Sequence, residues 1–233
     1  MQNLVFEFCQ QNLEEVIQNA KEQRILIDMD RIKDFMRQIL RGMAYVHSKD
    51  VCHRDLKPEN ILMNHEGVVK ICDFGSAKVL SPNGLNTPYI VSRYYRAPEL
   101  ILACSDYTTA IDVWAIGCIL AEFLTRRPIF PGKTEGSQLI EQIAILGRPT
   151  RNELQEMSPQ MQPHTIDQVH KLDNIQRRDF SALIHNPAYN VSSISKSLIF
   201  IFLLERRYYT GCRFDRKNAR LGAQQKNHML RRP

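Results

Sequence analysis

Residues 53–75 read HRDLKPENILMNHEGVVKICDFG, and this stretch decides how the centre of the chain folds. Residues 61–63 and 68–72 are apolar, β-favouring runs on either side of a polar turn that ends in glycine, which predicts a small β-hairpin. Asn60 would then stand just before the first strand, and Asp73 just after the second. Because the two ends of a hairpin lie side by side, both side chains are expected at one edge of a cleft.

Four polar side chains in this stretch match the needs of phosphoryl transfer from a magnesium nucleotide. Such a transfer requires a carboxylate that faces the acceptor hydroxyl, a cation near the transferring phosphate and oxygen ligands for the metal. Asp55 is the candidate base and Lys57 the candidate cation, while Asn60 and Asp73 are the candidate Mg²⁺ ligands. An isolated Asp-x-Lys is usually a surface loop, but the Asn60 and the Asp-Phe-Gly that follow it here predict a catalytic site.

Helical periodicity predicts a mainly α fold around the small hairpin. Apolar side chains recur at helical spacing in two segments before the hairpin and in one after it, and a fourth segment is apolar nearly all round, which is typical of a buried helix. Asp28 or Asp30 is the expected N-cap of the second helix, and Gly147 and Pro149 are expected to end the last. The segments are residues 13–20, 32–43, 137–146 and, for the buried helix, 109–124.

Length and composition indicate one globular unit. The chain has 233 residues, of which 43% are hydrophobic and 24% charged, and these values are ordinary for a folded domain. No amino-terminal stretch resembles a secretion signal, so we expect the protein in the cytoplasm and/or the nucleus. The most apolar run, residues 198–204, is too short to span a membrane. The six cysteines form no CxxC pair and are expected to be reduced.

The positive charge of the chain is concentrated at its carboxyl end. Residues 205–233 carry nine Lys or Arg and two acids, whereas residues 1–204 carry 22 basic and 23 acidic residues. A short basic tail is typical of a solvated surface, and no aromatic-basic module accompanies it, which argues against nucleic-acid binding. If the tail did bind DNA or RNA, the association would depend strongly on salt. No pattern in the sequence indicates an oligomeric state.

Three motifs carry a resemblance to a known family. HRDLKPEN, DFG and APE resemble the catalytic lobe of eukaryotic protein kinases, and CDFGSAK and YIVSRYYRAPELI are similar to the group of cyclin-dependent, mitogen-activated and glycogen synthase kinases. Within that group the chain most resembles the glycogen synthase kinase-3/shaggy family, from about residue 2 to about residue 158. The resemblance implies a protein-kinase-like carboxyl-terminal lobe, serine/threonine kinase activity, ATP and Mg²⁺ as cofactors and proteins as substrates.

The resemblance also implies an adenine site near the amino terminus. Residues 3–8 are apolar and β-favouring, which predicts a strand followed by a polar linker. Phe6 corresponds to the gatekeeper at the back of the adenine site, and Glu7, Phe8 and Cys9 correspond to the hinge whose backbone holds the base. Leu62 corresponds to the apolar floor beneath it, although an ordinary core position in a strand would have the same character.

Further implied roles concern phosphate groups. Tyr89 corresponds to the activation-loop tyrosine of the family, and Arg93 and Arg96 correspond to the arginines that hold its phosphate. Arg54 and Lys78 match two cations of the pocket that reads a phosphorylated substrate. Together with Arg96 they are the expected substrate phosphate pocket, since arginine and lysine donate charge-assisted hydrogen bonds to phosphate.

Two structural roles are implied as well. Asp112 and Trp114 correspond to the anchor by which the buried helix holds the catalytic loop. Glu99 corresponds to the buried ion-pair partner of a late arginine, for which Arg220 is the candidate. His53 is interpreted as a structural core histidine.

Parts of the kinase pattern are missing from the sequence. No glycine-rich loop of the form GxGxxG occurs, and the lysine and glutamate that orient the nucleotide have no counterpart. We therefore interpret residues 1–233 as a partial kinase domain that consists of the hinge and the catalytic lobe. In it, residues 159–212 match poorly and residues 205–233 form the basic tail. Two functions stay open: phosphoryl transfer from ATP to protein Ser or Thr, or a binding or scaffold role for a catalytically impaired, truncated kinase.

Overall fold

The computed structural model describes residues 3, 5–80, 86–87, 92–172 and 174–184, and it is mainly helical with small antiparallel sheets. This confirms the predicted fold class. The helices are α1 (Leu13–Glu22), α2 (Met29–His47), α3 (Pro98–Ile101), α4 (Ala110–Thr125), α5 (Glu135–Leu146), α6 (Arg151–Met157), α7 (Pro163–His170) and α8 (Phe180–Leu183). The strands are β1 (Gln11–Asn12), β2 (Val51–Cys52), β3 (Ile61–Met63), β4 (Val69–Ile71) and β5 (Lys78–Val79). Short 3₁₀ turns cover Pro58–Asn60, Phe74–Ser76 and Arg93–Tyr95.

The predicted hairpin is confirmed as β3 and β4. The two strands pair antiparallel with Ile61 opposite Ile71, and β1 adds to the other side of β3, so the sheet order is β1-β3-β4. A second sheet pairs β2 with β5, with Val51 opposite Val79. The segment that carries Asp55 and Lys57 therefore runs between β2 and β3 and is held at both ends by strand pairing.

Side chains cap three of the predicted helices. The Asp28 carboxylate accepts hydrogen bonds from the backbone amides of residues 30 and 31, which identifies it as the N-cap of α2. Thr134 and Ser137 form a reciprocal capping box at the start of α5, and Asn12 caps α1. Gly147 ends α5 with a φ of 90°, a conformation that glycine adopts without steric cost.

Helix α4 is the centre of the core. Of its 16 residues 13 are buried, which confirms that this segment is enclosed by other elements. The ring of Phe123 stacks on Phe35 of α2 with centroids 5.7 Å apart, and Trp114 stacks on Phe130 at 5.6 Å. Two carboxylates, Asp112 and Glu122, lie inside this apolar helix at 1% exposure, so both need hydrogen-bond partners.

Glu122 pairs with a buried tyrosine. The Tyr95 hydroxyl donates a hydrogen bond to Glu122 Oε2 over 2.7 Å. Burial raises the pKa of Glu122 to about 7, and the negative charges of Glu14 and Glu59 raise it further, whereas the Tyr95 hydrogen bond and Lys21 oppose the shift. Glu122 thus keeps a proton at pH values where a carboxylic acid in the unfolded chain has lost it.

Glu122→Gln is expected to flatten the pH dependence of stability. Because the folded-state pKa lies above the unfolded value of 4.5, ionisation of Glu122 lowers the free energy of unfolding as the pH rises from 4.5 to about 7. Above pH 7 this ionisation lowers the free energy of unfolding by about 3 kcal/mol in total, and the neutral amide of Glu122→Gln should remove that loss. Urea unfolding from pH 4.5 to 8 measures this, with exposed Glu156→Gln as control. Parallel curves for wild type and Glu122→Gln would contradict the assignment.

The strand predicted for residues 3–8 is wrong. The described residues of this segment form no strand, and Val5, Phe6 and Phe8 are 94%, 81% and 78% exposed. A strand requires a neighbour that pairs with its backbone groups, and no described strand pairs with this segment. Glu7 instead forms an ion pair with Lys70 of β4 over 3.1 Å. Local apolar character therefore did not suffice to form a strand here.

The remaining predictions fall partly outside the described residues. Five cysteines are described, and all five are free thiols, as expected for reduced cysteines. Within the described ranges, no helix combines the length and apolar character that crossing a membrane requires. The apolar run 198–204, the basic tail 205–233 and Arg220 lie outside the described residues.

Candidate active site

The Asp55 carboxylate contacts three side chains, those of Ser92, Lys57 and Asn60. Its Oδ1 accepts hydrogen bonds from the backbone amide of Ser92 (3.0 Å) and from the Ser92 hydroxyl (2.9 Å). Its Oδ2 lies 3.1 Å from Lys57 Nζ and accepts a hydrogen bond from Asn60 Nδ2 over 3.2 Å. Lys57 Nζ also donates to the Ser92 hydroxyl over 3.2 Å. The carboxylate is therefore fixed from two sides.

These contacts set the protonation of Asp55. Burial by itself would raise its pKa, but the hydrogen bonds from Lys57 and Ser92 and the charge of Lys57 outweigh that effect and lower the pKa below its ordinary value. Asp55 is thus ionised at neutral pH and is a weak base. Such a carboxylate serves a hydroxyl mainly by orienting it and by accepting its proton late, as bond formation proceeds.

Asn60 and Asp73 lie at the same end of the hairpin. The backbone amide of Cys72 donates to the carbonyl oxygen of Asn60 over 3.0 Å, so Asp73 follows directly beside Asn60. The Asn60 side chain donates through its nitrogen to Asp55, so its Oδ1 is the atom left to bind a metal ion. The Asp73 side chain is exposed. Among the described residues, no group of three or more His, Cys, Asp or Glu suits a metal. Two oxygen ligands, from Asn60 and Asp73, fit Mg²⁺, because this ion binds through few protein groups and completes its shell with water and substrate phosphates.

Asp112 anchors the loop that carries Asp55. Its Oδ2 accepts from the backbone amide of His53 (2.8 Å) and contacts His47 Nε2 (2.8 Å), and its Oδ1 accepts from the backbone amide of Arg54 (2.9 Å). Arg54 has a φ of 69°, in the left-handed region that non-glycine residues seldom occupy. The two backbone hydrogen bonds hold this strained residue in place, and with it the position of Asp55.

His53 connects the loop that carries Asp55 to the segment that carries Cys72 and Asp73. Its Nε2 donates to the carbonyl of Cys72 over 2.9 Å, and its Nδ1 accepts from the amide of Asp55 over 3.3 Å. These roles follow from the partners, since a carbonyl can only accept and an amide N–H can only donate. The ring also meets Phe74 edge-on at 4.7 Å. His53 is fully buried, which fits the structural interpretation.

In the described part of the chain, the predicted adenine-site residues do not form a closed pocket. Leu62 lies on β3, two residues beyond Asn60, and is half-buried. Cys9 is half-buried in the segment that precedes β1, whereas Phe6 is largely exposed and Glu7 contacts Lys70. The described residues therefore place Leu62 beside the catalytic loop but do not enclose Phe6 in a pocket.

The predicted phosphate-binding cations have different hydrogen-bond partners. Arg54 donates through Nη1 to the Tyr107 hydroxyl over 3.0 Å, and that hydroxyl donates to the carbonyl of Thr87 over 3.0 Å. Lys78 Nζ donates to Asn86 Oδ1 over 2.7 Å. Lys78 thus contacts the short described segment 86–87 directly, whereas Arg54 is linked to it through the Tyr107 hydroxyl.

Arg96 forms an ion pair with α5. Its Nη1 contacts Glu135 Oε1 at 2.9 Å, and the Arg96 side chain is 8% exposed. Arg93, the other arginine expected to hold the activation-loop phosphate, donates to the carbonyl of Lys133 over 2.6 Å. A phosphate on Arg96 would have to compete with Glu135. Tyr89 lies outside the described residues.

Ser92 is a site residue that the sequence interpretation missed. It is separated from Asp55 by 37 positions, and no local pattern around a single serine reports a contact over that distance. Gln138 and Gln142 of α5, which hold the segment after Ser92, were missed for the same reason. The helical spacing predicted α5, but it did not predict which polar side chains of the helix face inwards.

Comparison with known proteins identifies the family. The protein kinase domain model matches residues 1–188. The chain is 44% identical to "Protein kinase gsk3" of Schizosaccharomyces pombe over 168 residues, which are 72% of this chain and 43% of that protein. It is 41% identical to "Glycogen synthase kinase 1" of Pyricularia oryzae over 179 residues, which are 76% of this chain and 45% of that protein.

A third relative extends the match. The chain is 43% identical to "Probable serine/threonine-protein kinase glkA" of Dictyostelium discoideum over 202 residues, which are 87% of this chain and 40% of that protein. The chain thus spans less than half the length of the curated relatives it matches. Proteins of this family use ATP and Mg²⁺ and act on protein substrates. With the domain model covering most of its residues, the chain belongs to the protein kinase family.

Proposed function

We propose that the chain is the catalytic lobe of a serine/threonine protein kinase that transfers the γ-phosphoryl group of ATP to protein Ser or Thr hydroxyls. The observation that carries the proposal is the Asp55 carboxylate, which Ser92, Lys57 and Asn60 fix within 3.2 Å. Phosphoryl transfer depends on positioning and charge rather than on covalent help from the protein, and this arrangement supplies both. We further propose that the protein acts in the cytoplasm and/or the nucleus.

The roles of the side chains follow from their chemistry. Asp55 orients the acceptor hydroxyl and receives its proton as the new oxygen–phosphorus bond forms. Lys57 offsets the negative charge that develops on the transferring group. Asn60 Oδ1 and the Asp73 carboxylate would hold Mg²⁺, which supplies charge neutralisation at the nucleotide phosphates. Asp112 keeps the loop in position throughout.

The remaining assignments extend the proposal to ligands. Phe6, Glu7 and Cys9 would line the adenine site on one side and Leu62 on the other. Arg54, Lys78 and Arg96 would bind a phosphate on the substrate; the hydrogen bond of Lys78 to Asn86 and the link of Arg54 through Tyr107 to Thr87 support this for the first two. Tyr89 is the proposed activation-loop phosphosite.

A second function, a non-catalytic binding or scaffold role, has one observation in its favour. Phe6 is 81% exposed and Phe8 is 78% exposed, so the adenine side of the site is open in the described residues. An open adenine side favours weak nucleotide binding. A chain that folds and binds proteins without turnover would then keep the catalytic residues but not use them.

Transfer of labelled phosphate from γ-labelled ATP to a Ser/Thr peptide array distinguishes the two functions. The purified 233-residue chain is incubated with Mg²⁺, and a parallel sample contains a chelator. We expect label on Ser and Thr only in the presence of Mg²⁺. A cooperatively folded chain that transfers no phosphate to any peptide would contradict the kinase proposal and favour the scaffold role.

A further inference from the structure

Two glutamines of α5 lie in the protein interior and face the segment that follows Ser92. Gln138 is fully buried, and Gln142, one turn later, is 3% exposed. Gln142 Nε2 donates a hydrogen bond to the carbonyl of Arg96 over 2.9 Å. Gln138 Nε2 reaches the carbonyl of Tyr94 at 3.4 Å, and its Oε1 accepts from the amide of Gly132 over 2.9 Å. The helix thus holds the backbone of residues 94 and 96 through side-chain amides.

Burying an amide costs free energy unless its polar atoms are hydrogen-bonded, so an apolar side chain would be the simpler choice for packing at position 142. The Gln142 Oε1 has no hydrogen-bond partner among the described residues. The bond to the Arg96 carbonyl is therefore the contact that the buried amide serves. A leucine of similar size would fill the same space but leave that carbonyl without its donor.

A hydrogen-bonded turn links Arg96 to Ser92. The amide of Tyr95 donates to the carbonyl of Ser92 over 3.0 Å, and the amide of Arg96 donates to the carbonyl of Arg93 over 3.2 Å. Because these two overlapping hydrogen bonds close the 3₁₀ turn from residue 92 to residue 96, a shift of residue 96 is expected to displace residue 92 as well. Ser92 in turn holds Asp55 Oδ1 through both its amide and its hydroxyl.

The side chain of Arg96 is held by the same helix. Its ion pair with Glu135, the first residue of α5, joins a nearly buried guanidinium to a carboxylate that is 49% exposed. Helix α5 thus fixes Arg96 at its backbone through Gln142 and at its side chain through Glu135. Two contacts on one residue define its position better than one.

We propose that Gln142 is a positioning residue of the active site: by holding the Arg96 carbonyl it keeps the turn of residues 92–96 in place and thereby orients Asp55. Gln142 touches neither Asp55 nor Ser92, so its effect passes through the turn. The catalytic consequence rests on the proposed kinase function, whereas the effect on the turn does not.

Amide hydrogen exchange of Gln142→Leu tests the effect on the turn. Loss of one hydrogen bond should speed exchange of the Ser92 amide by about 3- to 10-fold, with amides of α2 and α4 much less affected. Ile143→Val on the same helix is the matched control for lost packing, and exposed Gln168→Leu is the control for the substitution itself. Equal Ser92 exchange in Gln142→Leu and wild type, or the same change in Ile143→Val, would overturn the proposal.

Kinetics test the consequence for catalysis separately. In Gln142→Leu the kcat for peptide phosphorylation should fall by about 10-fold, because Asp55 loses orientation, while the KM for ATP stays unchanged. A general loss of structure would lower both stability and nucleotide affinity instead. Faster Ser92 exchange with an unchanged kcat would refute the catalytic part. If wild type itself transfers no phosphate, the proposed function fails, and the exchange experiment still decides the role of Gln142.

Discussion

Replacing Asp55 by Asn is expected to lower the rate of phosphoryl transfer by about 10²- to 10⁴-fold, the range that a positioned base contributes. An amide oxygen can still accept the two hydrogen bonds from Ser92, but it cannot take up the proton of the acceptor hydroxyl. The amide nitrogen would also face Lys57 and Asn60, which are both donors. The variant therefore loses the base and two of its supporting contacts.

The measurement is the initial rate of label transfer to peptide at saturating Mg²⁺ and ATP. Asp30→Asn is the control, because Asp30 lies on the exposed surface of α2 and forms an exposed ion pair with Lys33. Urea unfolding of both variants shows whether they are folded at the assay temperature. If Asp55→Asn and Asp30→Asn transferred phosphate at the same rate, Asp55 would not be the base.

Asp112→Ala is expected to have the largest effect on stability, a loss of about 2 to 5 kcal/mol in the free energy of unfolding, because two backbone amides each lose an acceptor. Asp112 is 1% exposed and accepts from the buried backbone amide of His53 and the partly buried backbone amide of Arg54. Alanine would leave both amides without this acceptor. It would also release Arg54 from its left-handed conformation.

Chemical unfolding of the purified variant measures the loss. Asp167→Ala on α7 is the control, since Asp167 forms an exposed ion pair with Arg151 and its removal should change stability very little. Asp112→Asn should fall in between, because the amide keeps one acceptor oxygen and turns a donor towards the loop. A stability for Asp112→Ala within about 1 kcal/mol of the Asp167→Ala value would contradict an anchoring role, since two amides left without an acceptor should together cost about 2 kcal/mol or more.

Features written in local sequence could be predicted. The spacing of apolar residues located α2, α4 and α5, and Asp28 was among the expected caps, because periodicity and capping depend on neighbours within a few positions. The hairpin followed from two apolar runs around a turn that ends in Gly67. With the hairpin came the joint position of Asn60 and Asp73, the least local feature that the sequence predicted.

Features that depend on distant parts of the chain could not be predicted from the sequence. The contact between Ser92 and Asp55 and the inward orientation of Gln142 are set by how α5 packs, and no pattern around either residue encodes that packing. The strand at residues 3–8 failed for a related reason. Its apolar residues describe what the segment would do beside a partner strand, and sequence alone does not say whether the partner is there.

Helix α4 sets the distance between the loop of Asp55 and the turn that follows Ser92. Asp112 in its first turn fixes the loop of Asp55, and Glu122 near its end binds Tyr95 in the turn that follows Ser92. Their separation is ten positions along one rigid helix, which is about 15 Å. A single residue inserted between them would rotate one anchor by about 100° relative to the other. The helix between its two carboxylates must therefore keep its residue count.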